Sequence, residues 1–173
     1  IWRGPMATQA LEQLLRQTNW RDLDYLIVDM PPGTGDVALS LGQMVPVAGA
    51  VVVTTPQQVS LADSRRAVAM YKKLNIPTLG IIENMSYFVC PGCEKESDIF
   101  GTGGGETMAG SLGVPFLGRI PLYQPIREGG DSGVPLMIAE PEAPAARAIM
   151  AAAEQLPRAL VTTIMSAIRE HGG

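Results

Sequence analysis

The segment Asp24-Tyr25-Leu26-Ile27-Val28-Asp29-Met30-Pro31-Pro32-Gly33-Thr34-Gly35-Asp36 constrains the fold more than any other part of the chain. Its short apolar run, Tyr25–Asp29, predicts a strand covered on both faces, as inside a parallel sheet. An aspartate closes the run. Two prolines then stiffen the backbone, and two glycines let it approach a ligand closely. A lone aspartate at a strand end is most simply a turn residue, because short polar side chains suit turns. The PPGTGD continuation points elsewhere. A carboxylate placed near Mg²⁺ and backbone N–H groups near a terminal phosphate are what nucleotide hydrolysis requires. The other half of such a site is not in the sequence. No lysine follows a glycine anywhere, so there is no G-x-x-x-x-G-K-[ST] loop.

Strand-like and helix-like patterns alternate along the chain. Met6–Gln17 has helical spacing of apolar residues, with Pro5 near its start. Val37–Val45 is helical again. Gly49–Thr55 is a second buried strand, rich in β-branched residues. A helix is predicted from Ser60 to Leu74, opened by Ser60-x-x-Asp63 in the manner of a capping box. Pro77–Asn84 is a third strand and Pro115–Ile120 a fourth, with a short helix over Glu106–Leu112 between them. Met85–Gly105 shows little periodicity. Tyr123–Glu142 reads as loop-rich. Pro144–Glu170 reads as a long helix with a break at Pro157. This order predicts an α/β fold, a mainly parallel sheet with helices on both faces. Ligands in such sheets lie beyond the C-terminal strand ends, so Asp29, Thr54–Thr55, Asn84 and Pro121 are expected around one crevice.

Bulk properties narrow the function. With 46% apolar and 17% charged residues, a core can form. A net charge of −4 gives no electrostatic reason to expect nucleic acid or an anionic membrane as partner. No apolar run approaches the roughly 20 residues of a membrane helix. Two cysteines do not make a disulfide framework, and the first residues lack the basic and apolar regions of a signal peptide, so a reducing cytoplasm is expected. The chain opens with Ile1 rather than methionine, which suggests part of a longer protein.

Both cysteines fall in Cys90-Pro91-Gly92-Cys93, in a loop after a strand. Two buried apolar cysteines would suit a less polar setting. A thioredoxin-like redox pair needs a helix to start at the motif, and Glu94–Asp98 does not resemble one. Metal or cluster binding remains. Four thiolates are the usual complement of a structural Zn²⁺ or a [4Fe–4S] cluster. One chain has two, and the only histidine, His171, is at the far end. A full site then needs two chains, which predicts a symmetric homodimer with the metal on its two-fold axis.

Seven stretches together make a specific resemblance. They are Trp2-Arg3-Gly4-Pro5-Met6, Leu23–Asp36, Val53–Gln57, Glu83–Ser86, Cys90–Cys93, Ile99–Gly104 and Phe116–Pro121. In this order they resemble the C-terminal part of the Mrp/ApbC family of cytosolic iron–sulfur cluster carrier ATPases, in the deviant P-loop group that includes MinD. The resemblance implies ATP and Mg²⁺ as ligands, a labile [4Fe–4S] cluster shared between two subunits, and apo iron–sulfur proteins as recipients. It makes Asp29 the Walker B aspartate. Pro32 and Gly33 belong to the γ-phosphate-sensing loop, with the Gly33 N–H meeting the phosphate. Asn84 recognises the adenine edge and Pro121 lines the base pocket. Cys90 and Cys93 hold the cluster.

Two departures stand out. Glu94 follows Cys93 where the family often has glycine, which is expected to alter the turn. The phosphate-binding loop, its lysines, the Mg²⁺-binding Ser/Thr and the first switch aspartate lie upstream in the family. Residues 1–173 are therefore expected to form the C-terminal part of one P-loop NTPase-like domain, to leave a sheet edge exposed, and to show negligible ATPase activity alone.

Two other classes of function stay open at this stage. One is a zinc-clasped dimeric interaction module with a vestigial nucleotide site. The other is a MinD-like regulatory switch, whose membrane form would end in a basic amphipathic helix; Val161–Gly173 offers only Arg169 and His171. Arg65 and Arg66 are expected on a solvated helix face, Arg127–Gly133 in a turn, Gly103-Gly104-Gly105 in a flexible hinge, His171 in solvent, and the nine methionines mainly in the core.

Overall fold

The fold was obtained as a computed structural model that describes residues 4–30 and 36–171. In chain order the elements are α1 (Gly4–Gln17), α2 (Asp36–Met44), β1 (Ala50–Thr54), α3 (Gln58–Lys73), β2 (Thr78–Glu83), β3 (Phe88–Val89) and β4 (Glu96–Ser97). They continue with α4 (Gly104–Leu112), β5 (Phe116–Arg119), α5 (Gln124–Ser132), α6 (Leu136–Ala139) and α7 (Pro144–His171).

Three parallel strands in the order β1-β2-β5 form the main sheet. Parallel neighbours need long crossovers, and α3 and α4 lie in the two that join these strands. The β-branched run of β1 and the apolar run of β2 supply Val52 and Ile81 to a core with Leu61 and Val68 of α3 and Met108 and Ala109 of α4. Ile81 is fully buried. Removing its side chain to alanine is expected to cost about 2–5 kcal/mol. Gly80 is matched to its neighbour, because a Cβ there would come within 2.4 Å of Leu117 Cγ. Helix α7 packs against β5 and β2. Gln155 fixes it in place by donating to the Leu117 carbonyl at 2.7 Å.

Several elements differ from the sequence reading. Residues 25–29 do not form a strand; they run without ladder bonds, and Tyr25, Leu26, Ile27 and Val28 are all exposed. Strand structure requires a hydrogen-bonded neighbour, and among the described residues β1 pairs only with β2. Among the described residues no strand flanks the outer edge of β1, and Val53, on the face opposite Val52, is 59% exposed. Helix α3 begins before Ser60, so there is no capping box. Its first turn follows Gln57, without a side-chain cap. Ser60 Oγ instead accepts from the Thr55 N–H at 3.0 Å and bonds Thr54 Oγ1 at 3.1 Å, tying the end of β1 to α3. Asp63 pairs with Arg66 at 2.9 Å on the exposed face that also carries Arg65.

The region expected to be loop-rich contains α5 and α6, and Arg127–Gly133 is mostly helix rather than turn. Packing outweighs the glycines: Tyr123, Ile126 and Met137 close around Leu136, Ala145 and Ala146. Helix α7 runs unbroken through Pro157. That proline forgoes one helical bond, a cost of about 3 kcal/mol in a helix interior, which the packing of the preceding turns offsets. No described helix is long and apolar enough to cross a membrane.

Candidate functional site

The C-terminal ends of the three strands form one row. Register places Thr54 beside Glu83 and Glu83 beside Arg119. Glu83 is completely buried. A buried carboxylate is tolerated only with donors around it, and here there are three. The Ser86 hydroxyl donates to Oε1 at 2.5 Å, the Gly103 N–H to Oε1 at 3.2 Å, and the Gly105 N–H to Oε2 at 2.5 Å. The two backbone donors belong to the N-terminus of α4, where the helix dipole favours a negative charge. The glycine triplet is therefore a bonded helix start rather than a hinge. Gly103 adopts φ +70, and a Cβ on Gly105 would meet Glu83 Cβ at 3.0 Å.

Asn84 follows directly, half-buried. Its N–H donates to the Thr54 carbonyl at 2.8 Å, and its side-chain oxygen accepts from the Met85 N–H at 2.9 Å. Met85 is held at φ +53, a region costly for a residue with a side chain. Beyond it the chain zips to the segment after β5. Ile120 N–H donates to Glu83 O at 2.8 Å, Ser86 N–H to Ile120 O at 3.0 Å, and Leu122 N–H to Tyr87 O at 2.7 Å. This ladder brings Asn84 and Pro121 to the same edge, as the strand-end argument expects.

The cysteines occupy the tip of a hairpin. Phe88 pairs with Ser97 and Val89 with Glu96. Cys90 N–H then donates to Lys95 O at 3.1 Å, and Glu94 N–H to Cys90 O at 2.8 Å. The N–H groups of Gly92 and Cys93, and then the Cys93 thiol, hold the Cys90 thiol below its ordinary value, against an opposing effect of burial. Such N–H···S bonds favour the thiolate, the form that binds metal. Cys93 is exposed. Glu94 adopts φ +58, the left-handed conformation in which glycine is at home. A glutamate holds that conformation only at a cost in backbone strain. Among the described residues, no group of three or more His, Cys, Asp or Glu is gathered around a point that could hold a metal ion.

Asp29 is exposed, in the unpaired segment, and makes no hydrogen bond or ion pair among the described residues. Pro32 and Gly33 lie outside the described residues. The structure thus brings Asn84, Pro121 and the root of the cysteine hairpin together, and does not bring Asp29 into a strand beside them.

A family model described as the NUBPL iron-transfer P-loop NTPase, within the ParA group, matches residues 1–157. The chain belongs to this family. NUBPL-family relatives match most of it. The iron–sulfur cluster carrier protein of Synechocystis is 54% identical over 157 residues, covering 90% of this chain and 44% of the relative. The iron–sulfur cluster transfer protein NUBPL of Dictyostelium discoideum is 52% identical over 147 residues, covering 85% and 46%. The iron–sulfur cluster carrier protein of Escherichia coli is 51% identical over 142 residues, covering 82% and 38%. The chain therefore spans about half the length, or less, of the curated relatives it matches.

Solved structures agree on the P-loop NTPase fold. A nucleotide-binding protein from Archaeoglobus fulgidus, in complex with ADP, superposes with a TM-score of 0.70 at 34% identity, covering 80% of this chain and 56% of that one. The cell division ATPase MinD of Pyrococcus furiosus superposes with a TM-score of 0.63 at 24% identity, covering 90% and 59%.

Glu83 and Arg119 fall inside two of the stretches that carry the family resemblance, yet sequence reasoning assigned them no role. The signal was present. A glutamate inside TLGIIE cannot be buried without donors, and a glycine triplet about 20 residues downstream can supply them.

Proposed function

We propose that this chain forms the base-recognising and cargo-binding part of an ATP-dependent iron–sulfur cluster carrier. In this reading it is the C-terminal part of one P-loop NTPase-like domain. The observation that carries the proposal is the cysteine hairpin: two thiols at an accessible tip, one held toward the thiolate by backbone N–H groups, and no third ligand gathered among the described residues. Two such tips supply the four thiolates of a [4Fe–4S] cluster bridging a homodimer. A bridging cluster is released when the dimer opens, and recipient apo-proteins then take it. The names of the relatives, iron–sulfur carrier and transfer proteins, support this assignment.

For the nucleotide, Asn84 would take the adenine edge and Pro121 the base pocket. Asp29 would hold Mg²⁺ through its water shell, and Pro32 and Gly33 would present the loop to the γ-phosphate. The A. fulgidus structure, which holds ADP, supports a nucleotide at this fold. The phosphate cradle would come from residues that the longer relatives carry. Residues 1–173 alone are accordingly expected to show no ATP turnover; a measurable turnover number from this segment would overturn that division. In the full-length gene product, Asp29→Asn should slow hydrolysis and leave cluster loading intact. Equal loss of both would sink the separation of roles. The reading carries a cytoplasmic location.

Anaerobic reconstitution with iron and sulfide tests the cargo. About two irons per chain in a dimer, lost in Cys90→Ser/Cys93→Ser, is the expected result for one [4Fe–4S] cluster on four thiolates. Zinc at about half an ion per chain with no cluster would establish a structural clasp instead.

A further inference from the structure

Among the described residues, Arg119 is the one side chain that reaches the hairpin, the α4 loop and the turn after Asn84 together. Its Nε donates to Ser86 Oγ at 2.8 Å and its Nη2 to Thr102 Oγ1 at 3.1 Å. Nη2 also lies 3.7 Å from Glu96 Oε1 on β4, and the guanidinium carbon stands 4.9 Å over the Tyr87 ring at the root of β3. An exposed ion pair such as Arg119–Glu96 contributes little by itself. The anchor is different in kind, because Ser86 is fully buried and bonded onward to Glu83. A guanidinium is a planar fork of fixed geometry. Displacing Ser86 therefore displaces the fork, and with it the contact to the hairpin.

The turn that carries Ser86 is held in part by the Asn84 side chain. At present Asn84 Oδ1 accepts from Met85 N–H and supports its left-handed backbone. A side-chain amide that recognises adenine does so with both its oxygen and its nitrogen. Turning toward a base therefore competes with the Met85 bond, and the strained residue next to Ser86 is freed to change conformation.

We propose that Arg119 is a positioning residue that couples the two ends of this unit, so that a nucleotide base at Asn84 alters the setting of the Cys90–Cys93 tip. The inference rests on the nucleotide reading given above. It requires no contact between Arg119 and either ligand.

The test uses the apo full-length gene product. A fluorescent ADP analogue reports nucleotide affinity, and peptide mass reports the rate at which iodoacetamide alkylates Cys90 and Cys93, with and without Mg-ADP. In the unaltered protein Mg-ADP should change that rate about fivefold or more, the usual lower range of coupling between two sites. Arg119→Ala should bind the nucleotide within about twofold of the unaltered protein and lose the response. Arg119→Lys should also lose it, because one ammonium cannot replace the fork. Glu96→Gln, at an exposed position, should roughly halve the response without lowering Tm; it decides the matter together with Arg119→Lys if Arg119→Ala fails to fold. A full response in these variants overturns the proposal. So does loss of nucleotide binding in Arg119→Ala, which would make the arginine part of the base site. An unaltered protein that binds nucleotide without a thiol response defeats this inference alone; one that binds no nucleotide defeats the nucleotide reading and this inference with it.

Discussion

Asp29 and Glu83 both close apolar runs, and they meet opposite fates. Glu83 ends a strand flanked on both sides, is wholly enclosed, and receives three hydrogen bonds. Asp29 ends an apolar run that has no neighbouring strand among the described residues, and both the run and the aspartate face solvent. Composition does not separate the two. Apolar residues in a row state what could be buried, and the ladder decides whether it is. A carboxylate becomes part of the architecture only where the surrounding backbone offers donors.

The largest expected effect is at Glu83. Glu83→Ala strands the N–H groups of Gly103 and Gly105 and opens a void, and should lower unfolding free energy by about 4 kcal/mol in urea titration. Asp29→Ala should change it by less than about 0.5 kcal/mol. Comparable losses from the two would erase the contrast. Next is Gly105→Ala, which presses a methyl group against Glu83 and should cost about 2 kcal/mol; a neutral result would mean that α4 can shift away from the carboxylate.

A third test asks whether exposure by itself decides how a group behaves. Cys90 lies at a solvent-facing tip, yet its thiol is held low, first by the Gly92 N–H and then by Cys93. A depressed pKa keeps the thiolate present to lower pH. The alkylation rate should therefore persist below the ordinary thiol range and fall only as pH drops through the lowered value. Gly92→Pro removes the first donor and should move the inflection upward. Gly92→Ala keeps the donor, places its Cβ 3.9 Å from the Cys90 sulfur, and should leave the profile unchanged. Identical profiles for both variants would assign the shift elsewhere.

The smallest effect is expected at Ile27, which is 80% exposed. Ile27→Lys should change the stability of this chain by no more than about 0.5 kcal/mol, read by thermal unfolding. A loss beyond about 1 kcal/mol would show that the run is packed after all, a cost typical of disturbed burial.

Much of the sheet was legible because β1, β2 and β5 are dense in apolar residues and have neighbours to pair with. The residues 25–29 misled for the same reason, since periodicity is blind to a missing partner. Helix α5 was hidden by Gly129-Gly130, whose low helix propensity is overridden by contacts: Gly129 lies so close that a Cβ would come within 2.6 Å of the Val134 carbonyl. The hairpin strands are two residues each, too short for an alternation to register. At the site, Cys90 and Cys93 announced themselves by spacing. The rule that strand ends meet ligands pointed to Asn84 and Pro121, which the structure places at one edge. Arg119 did not, because its importance depends on what Tyr87, Glu96 and Thr102 bring to it from separate segments.

The two-residue strands of the hairpin carry one further implication. In small metal-dependent modules, filling the site supplies the free energy of folding, and emptying it unfolds the chain. Here the core of Val52, Leu61, Val68, Ile81, Met108 and Ala109 is assembled without any contribution from the thiol tip. In the proposed carrier, loading or stripping the tip would therefore leave that core in place.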